Sequence, residues 1–302
     1  MFFLLSLIVL LVGIKPISRS YQVDFSSGSG IPTDSSKTIN IISYNVRIFN
    51  LLGQSEFGED QKKIFSVIRK NNPDIVCLQE FYISDQQQFN LDTIRRYLPD
   101  LKYSHIFWLS EGSDYKYGIA TFSKYPIVKK GRIDFEKNLN ASIITDVLVN
   151  KERIRIYNNH LQSIGFKRNN YEFVSNQSRY TDHQRLKEIQ DISYRLKDAF
   201  IKRSKQAEKI SASINRSSYP VVVCGDFNDT PVSYTYRTIS SGLNDAFVKG
   251  GSGVGITYKG KFPSYRIDYI LYDDTFKIED FDIVKKLLSD HYPVKASLGI
   301  KN

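Results

Sequence analysis

The sequence predicts an α/β sandwich, two β-sheets packed face to face with helices outside them. Three observations lead there. Short apolar runs rich in β-branched residues recur from Ile39 to Leu298, helical patterns fall between them, and the strict strand-helix alternation of an all-parallel sheet is missing. The chain has 302 residues, 41% of them hydrophobic, which is enough to bury a full core. No internal repeat and no second domain boundary interrupts it.

Residues Phe2 to Ile14 are apolar apart from Ser6 and Gly13, and Lys15, Pro16 and Arg19 follow them. We read residues 1–20 as a hydrophobic helix that anchors the chain in a membrane. A span needs about 20 apolar residues, so the anchor is minimal, and no basic region precedes it as in a signal peptide. Which side the rest of the chain faces stays open. The stretches Ser26-Ser27-Gly28-Ser29-Gly30 and Asp34-Ser35-Ser36 mark 21–37 as a flexible linker and leave 38–302 as one folded domain.

Within that domain, strands are expected at Ile39 to Val46, Asp74 to Gln79, Gly118 to Phe122, Ile143 to Val149, Arg153 to Asn159, Val221 to Cys224, Ile267 to Tyr272 and Pro293 to Leu298. Ile64 and Ile68 mark a helix near Asp60 to Lys70, stopped by Asn71-Asn72-Pro73, and Phe89, Ile94 and Leu98 mark another. Leu186, Ile189, Ser193, Leu196 and Phe200 form a helical stripe expected to face the core, with Lys197, Lys202, Arg203 and Lys205 in solvent. The polar stretch Ser163 to Asp182 is long for a connection and is a candidate substrate-covering loop.

The formal charge of +10 favours anionic partners: nucleic acid, phosphorylated metabolites or an anionic membrane face. Cys77 and Cys224 each lie in an apolar run and read as buried thiols, which excludes a disulfide framework and a thiolate metal site. Gly250-Gly251-Ser252-Gly253-Val254-Gly255 is followed by no Gly-Lys-Ser/Thr, so it reads as a turn and not a phosphate loop. His105 and His183 lack a motif and read as surface or helix histidines. Tyr171, Phe173, Trp108 and Tyr234 read as core aromatics, and Arg237 and Lys249 as solvated charges.

Six strand ends carry polar groups that a core does not need. Tyr219-Pro220-Val221-Val222-Val223-Cys224-Gly225 runs into Asp226-Phe227-Asn228, a carboxylate and an amide two residues apart and so on one face of an extended chain. Ser43-Tyr44-Asn45 ends on an amide, Leu78-Gln79-Glu80 on a carboxylate and Asn159-His160-Leu161 on an imidazole. Arg266-Ile267-Asp268-Tyr269-Ile270 sets a carboxylate in an apolar stretch, and Ser289-Asp290-His291-Tyr292-Pro293 joins an acid to a histidine. Together they supply oxygen ligands for a hard cation, two imidazoles for proton transfer and a carboxylate to orient one of them. Phosphoryl transfer asks for that mixture.

As an ordered set, these motifs resemble the endonuclease/exonuclease/phosphatase superfamily, the DNase I-like fold, in its membrane-anchored bacterial type. The resemblance covers Thr38 to the C-terminus. It implies a four-layer αββα sandwich and a Mg2+-dependent phosphodiesterase, with Mn2+ as a substitute ion. By position it makes Glu80, Asn45 and Asp290 the metal residues and His160, Asp226, Asn228, Asp268 and His291 the catalytic set. A nuclease is the first expectation; a sphingomyelinase-like or inositol-phosphate-type lipid headgroup enzyme is the alternative, and a non-catalytic anchored binding module the rival from another class.

Overall fold

A computed structural model describes residues 13–14, 16–23, 38–50, 58–85, 89–135, 140–260 and 264–301. Most of the N-terminal apolar run and of the expected linker lies outside these residues. Among the described residues no helix is long and apolar enough to cross a membrane. At the start of the segment read as a linker, β1 (Tyr21–Gln22) pairs with β11 (Gly253–Val254).

Two six-stranded mixed sheets form the centre. The first has the order β13 (Phe276–Ile283), β14 (Val294–Ile300), β2 (Thr38–Asn45), β3 (Ile75–Ser84), β5 (Tyr115–Ser123), β4 (Tyr103–Glu111). The second runs β10 (Asn244–Asp245), β12 (Asp268–Tyr272), β9 (Val221–Asp226), β8 (Glu152–His160), β7 (Ala141–Val149), β6 (Ile127–Ile133). Each sheet has one parallel pair, β2 with β3 and β8 with β9, and both pairs need a crossover on the outer face. α1 (Glu59–Lys70) supplies the first crossover; α3 (Arg168–Ser175) and α4 (Asp182–Asn215) supply the second.

Alternation along the strands builds the layers. Ile39, Ile41, Ile75, Cys77, Ile154, Ile156, Val222 and Cys224 fill the space between the sheets. Their neighbours Ile42, Tyr44, Val76 and Leu78 pack under α1 and α2 (Leu91–Tyr97) through Ile64, Phe65, Ile68 and Ile94. On the other outer face Tyr157, Val221, Val223 and Leu271 meet Ala207, Ile210 and Ile214 of α4 and Tyr236 and Ile239 of α5 (Tyr234–Ile239). The order is helix, sheet, sheet, helix.

Long α4 starts on a capping box, Thr181 accepting from the Gln184 backbone while the Gln184 side chain accepts from Thr181. Its buried face differs from the expected stripe. Ala199, Arg203, Gln206, Ala207, Ile210 and Ile214 are buried, whereas Leu186 is 60% and Ile189 51% exposed. Arg203, expected in solvent, is buried because Asp229 takes its Nε at 3.0 Å and the Gln162 carbonyl its Nη1 at 2.8 Å. His105 also departs from expectation: it lies between the sheets, its Nδ1 2.8 Å from Thr145 Oγ1. The expected covering loop holds α3 and a 3-10 turn at Gln177–Arg179.

Candidate functional site

At the carboxyl ends of the two parallel pairs the inter-sheet face changes from apolar to polar. Along β2 it reads Ile39, Ile41, Ser43, Asn45; along β8, Ile154, Ile156, Asn158, His160; along β9, Val222, Cys224, Asp226. The ladder register then sets His160 directly beside Asp226 on one side and Asp268 directly beside it on the other. Asn45 lies opposite Gln79, one residue before Glu80.

Two local devices aim the side chains. The β3–β5 ladder shifts register between Leu78 and Phe81, and Glu80 within that bulge has φ of 50°. Gly225 has φ of 136°, and a Cβ there would run into the Asn159 carbonyl, so only glycine lets β8 and β9 approach just before Asp226. Asn228 sits at φ of 51°, a left-handed turn that asparagine tolerates, and this swings its side chain back onto Asp226.

Asp226 is the hub. Its Oδ2 accepts from Asn45 Nδ2 at 3.0 Å and Asn228 Nδ2 at 3.1 Å, and its Oδ1 accepts the Asn228 backbone N–H at 2.8 Å. Asn45 Nδ2 also reaches Glu80 Oε1 at 3.3 Å. His291 Nε2 lies 3.8 Å from Asp226 Oδ2, and His291 Nδ1 is 2.9 Å from Asp268 Oδ2. His160 Nε2 lies 3.7 Å from Glu80 and 3.9 Å from Asp226. Asp290 faces Arg47 at 3.5 Å and lines the same cavity as Glu80, Asp226, Asn228 and His291. All eight residues singled out from the sequence therefore meet in one place.

Electrostatics divides their labour. Burial pushes the Asp226 carboxyl up to about 6, against the opposing pull of His291. Burial alone would lower His291, but Asp268 and Asp226 outweigh it and raise the imidazole to about 10. At neutral pH the pair is a carboxylate facing an imidazolium, a base beside an acid. Burial lowers His160 and so favours its neutral form, while burial raises Glu80.

The oxygens of Asp226 and Asp268 and a nitrogen of His291 lie within 4.8 Å of one another. That trio suits proton transfer better than an ion, because Asp268 engages Nδ1 and an imidazolium cannot ligate a cation. The cradle around Glu80 suits a hard cation. Glu80, Asp226 and Asp290 line one cavity, the Asn45 amide bridges Glu80 and Asp226, and the buried His160 Nε2 beside those two carboxylates has no hydrogen-bond partner.

Some participants carry no signal in the sequence. Thr257 Oγ1 accepts from the backbone of Ile267 and Asp268 and so fixes the carboxylate behind His291. Tyr258 stacks edge-on to His291 with centroids 5.1 Å apart. Both come from an irregular segment that holds no apolar run for them to interrupt. Asn158 was legible, two residues before His160 on the same face; its amide takes the Gln79 Nε2 at 2.7 Å and donates to the Ala120 carbonyl at 2.9 Å, pinning the sheets together under the site. Tyr171 leaves the core and lines the cavity.

Two layered sheets carrying a carboxylate-imidazolium pair and an acidic cradle at one rim define a phosphoester-hydrolase class of protein. The sequence profile of the Endonuclease/Exonuclease/phosphatase family matches residues 42–291, and the chain belongs to that family, as a metal-dependent hydrolase acting on phosphate ester bonds. No curated protein matches the sequence closely enough to count as a relative. Among solved structures it is similar to an endonuclease/exonuclease/phosphatase from Beutenbergia cavernae, at 16% identity and a TM-score of 0.64, covering 88% of this chain and 72% of that one. The human Nocturnin catalytic domain with bound sulfate gives 19% identity and 0.61, covering 89% and 97%. ANGEL2, a 2',3'-cyclic phosphatase in complex with adenosine-2',3'-vanadate, gives 16% and 0.61, covering 88% and 96%. At these identities the structural likeness speaks for the fold.

Proposed function

We propose that the chain hydrolyses phosphodiester bonds by in-line attack of an activated water, with Mg2+, or Mn2+, as its ion. Glu80, Asn45 and Asp290 would hold the ion, which when bound supplies charge neutralisation at the phosphoryl oxygens. Asp226 takes the proton of the attacking water, and Asn228 holds that water and a phosphate oxygen. His291 donates to the phosphoryl group from Nε2, with Asp268 fixing its tautomer. His160, being neutral, acts on the leaving-group side as a hydrogen-bond donor. The observation that carries this reading is the 3.8 Å approach of His291 Nε2 to Asp226 Oδ2 inside an acidic cradle.

Nucleic acid is the substrate class that the charge of +10 supports. A lipid headgroup is the second reading, and the apolar walls of the cavity favour it. A panel of DNA, RNA, sphingomyelin and inositol phosphates, each with Mg2+ and with chelator, tests both. Turnover of one class that chelation abolishes is expected; no metal-dependent turnover on any of them would leave a binding module. We further propose residues 1–20 as a membrane anchor, 21–37 as a linker and 38–302 as the catalytic domain. Cell fractionation of chains with and without residues 1–20 checks this, the full chain being expected with membranes.

A further inference from the structure

The catalytic rim opens into a cavity of about 550 Å³ whose walls do not match a polyanion. Ile192, Leu196 and Phe200, spaced by four on α4, form one wall, and Ile164, Phe166 and Ile267 contribute apolar surface to the rest of the lining. Among the described residues lining it the cations are Arg203, which is buried and engaged by Asp229 and the Gln162 carbonyl, and His291, which Asp268 holds at the catalytic end. The other charges are Glu80, Asp226, Asp229 and Asp290, all acidic. A nucleic-acid strand is tracked by a row of cations along its phosphates, and the α4 side of this cavity offers none for that purpose; Arg47 and Lys259 line the adjoining cleft across Tyr171, Tyr258 and Asp290. Its size and apolar lining instead fit a small-molecule pocket. The apolar stripe also continues beyond the cavity along α4 to Leu186 and Ile189, both more than half exposed.

The first half of α4 thus holds apolar residues that its own fold does not bury, and they lead to the catalytic groups. We propose that this wall is a subsite for the alkyl or acyl chain of an amphiphilic phosphoester, whose phosphate lies at Asp226 and His291. The inference rests on the hydrolase reading above and adds the class of substrate. The chain enters along Leu186 and Ile189 and packs on Ile192, Leu196 and Phe200. Arg203, tied to Asp229, holds the base of that wall in place.

A homologous series separates this from its alternatives. Alkylphosphonates from methyl to octyl are titrated by calorimetry into the full chain with Mg2+. The matching alkyl p-nitrophenyl phosphates are assayed for hydrolysis, in which water adds to phosphorus and p-nitrophenolate leaves. Affinity and kcat/KM should each rise by roughly twofold to fourfold per methylene, up to the fourfold of full burial. Ile192→Gln and Leu196→Gln, made on half-buried helix positions and checked by melting temperature, should flatten that slope. A flat series in the wild type overturns the subsite, as does a slope that neither variant changes. Tighter binding of a thymidine dinucleotide than of octylphosphonate overturns it in favour of nucleic acid. Chain-length-dependent binding without turnover of any diester would keep the subsite and refute the hydrolase reading; turnover with a flat series would do the reverse. Dihexanoylphosphatidylcholine monomers and long-chain phosphatidylcholine vesicles then distinguish a soluble amphiphile from a bilayer lipid as the source, and binding of neither counts against the subsite.

Discussion

Asp226 is held by two amides and one backbone N–H and faced by two imidazoles, so its lone pairs are directed before any substrate arrives. Asp226→Asn keeps the shape and removes the base, and hydrolysis should fall by about a thousandfold. His291→Ala should cost a similar factor. Asp268 acts through His291 and not on the phosphate, so its loss should show in the imidazole itself. In Asp268→Asn the His291 titration, followed by NMR, should move down from about 10, because the larger of the carboxylate contributions that raise it is gone while that of Asp226 stays. An unmoved titration would remove Asp268 from its positioning role.

At the scale of elements, the site exists because strands end where the inter-sheet face turns polar, and Gly225 permits the last step. Gly225→Ala should destabilise the fold by about 2–3 kcal/mol and lower activity further, since the new Cβ meets the Asn159 carbonyl beside Asp226. Between the same sheets, burial lowers His105 to about 4. From pH 4 to 6.5 the unfolded chain binds a proton at this histidine that the folded one refuses, so the His105 contribution to stability climbs with pH across that window, opposite in sign to that of Asp226. By denaturant unfolding at each pH, the stability of the parent minus that of His105→Gln should grow by on the order of 2 kcal/mol across the window.

The same scale explains what the sequence showed. Each of the eight expected strands overlaps a strand of the structure, because central strands buried on both faces are apolar throughout. The longer strands that pattern reading missed, β4, β6 and β13, are edge strands. Lys129, Lys130 and Arg132 in β6 and Lys277, Glu279, Asp280 and Asp282 in β13 are the charges that keep such edges from pairing with other chains, and they mask the strand signal. The site residues were legible because each interrupts an apolar run; Thr257 and Tyr258 interrupt none. The stripe on α4 misled because its apolar spacing is real but serves the cavity and the surface instead of the core.

At the scale of the whole molecule, a net charge of +10 coexists with a rim where Glu80, Asp226 and Asp290 share one cavity. Like charges so placed repel, and a divalent cation relieves them. Melting temperature should therefore rise with Mg2+ as the unfolding free energy gains about 2.7 kcal/mol at a hundredfold excess over Kd, and Glu80→Gln should lose the shift. Hydrolysis of bis(p-nitrophenyl) phosphate tests most directly whether the six separated stretches of chain that meet at the rim cleave a phosphodiester with a metal. The full chain is assayed with Mg2+, after chelation and after restoring the ion, in parallel with Asp226→Asn. Turnover that chelation removes, Mg2+ restores and the variant lacks is the predicted result; turnover indifferent to both the ion and Asp226 would contradict it.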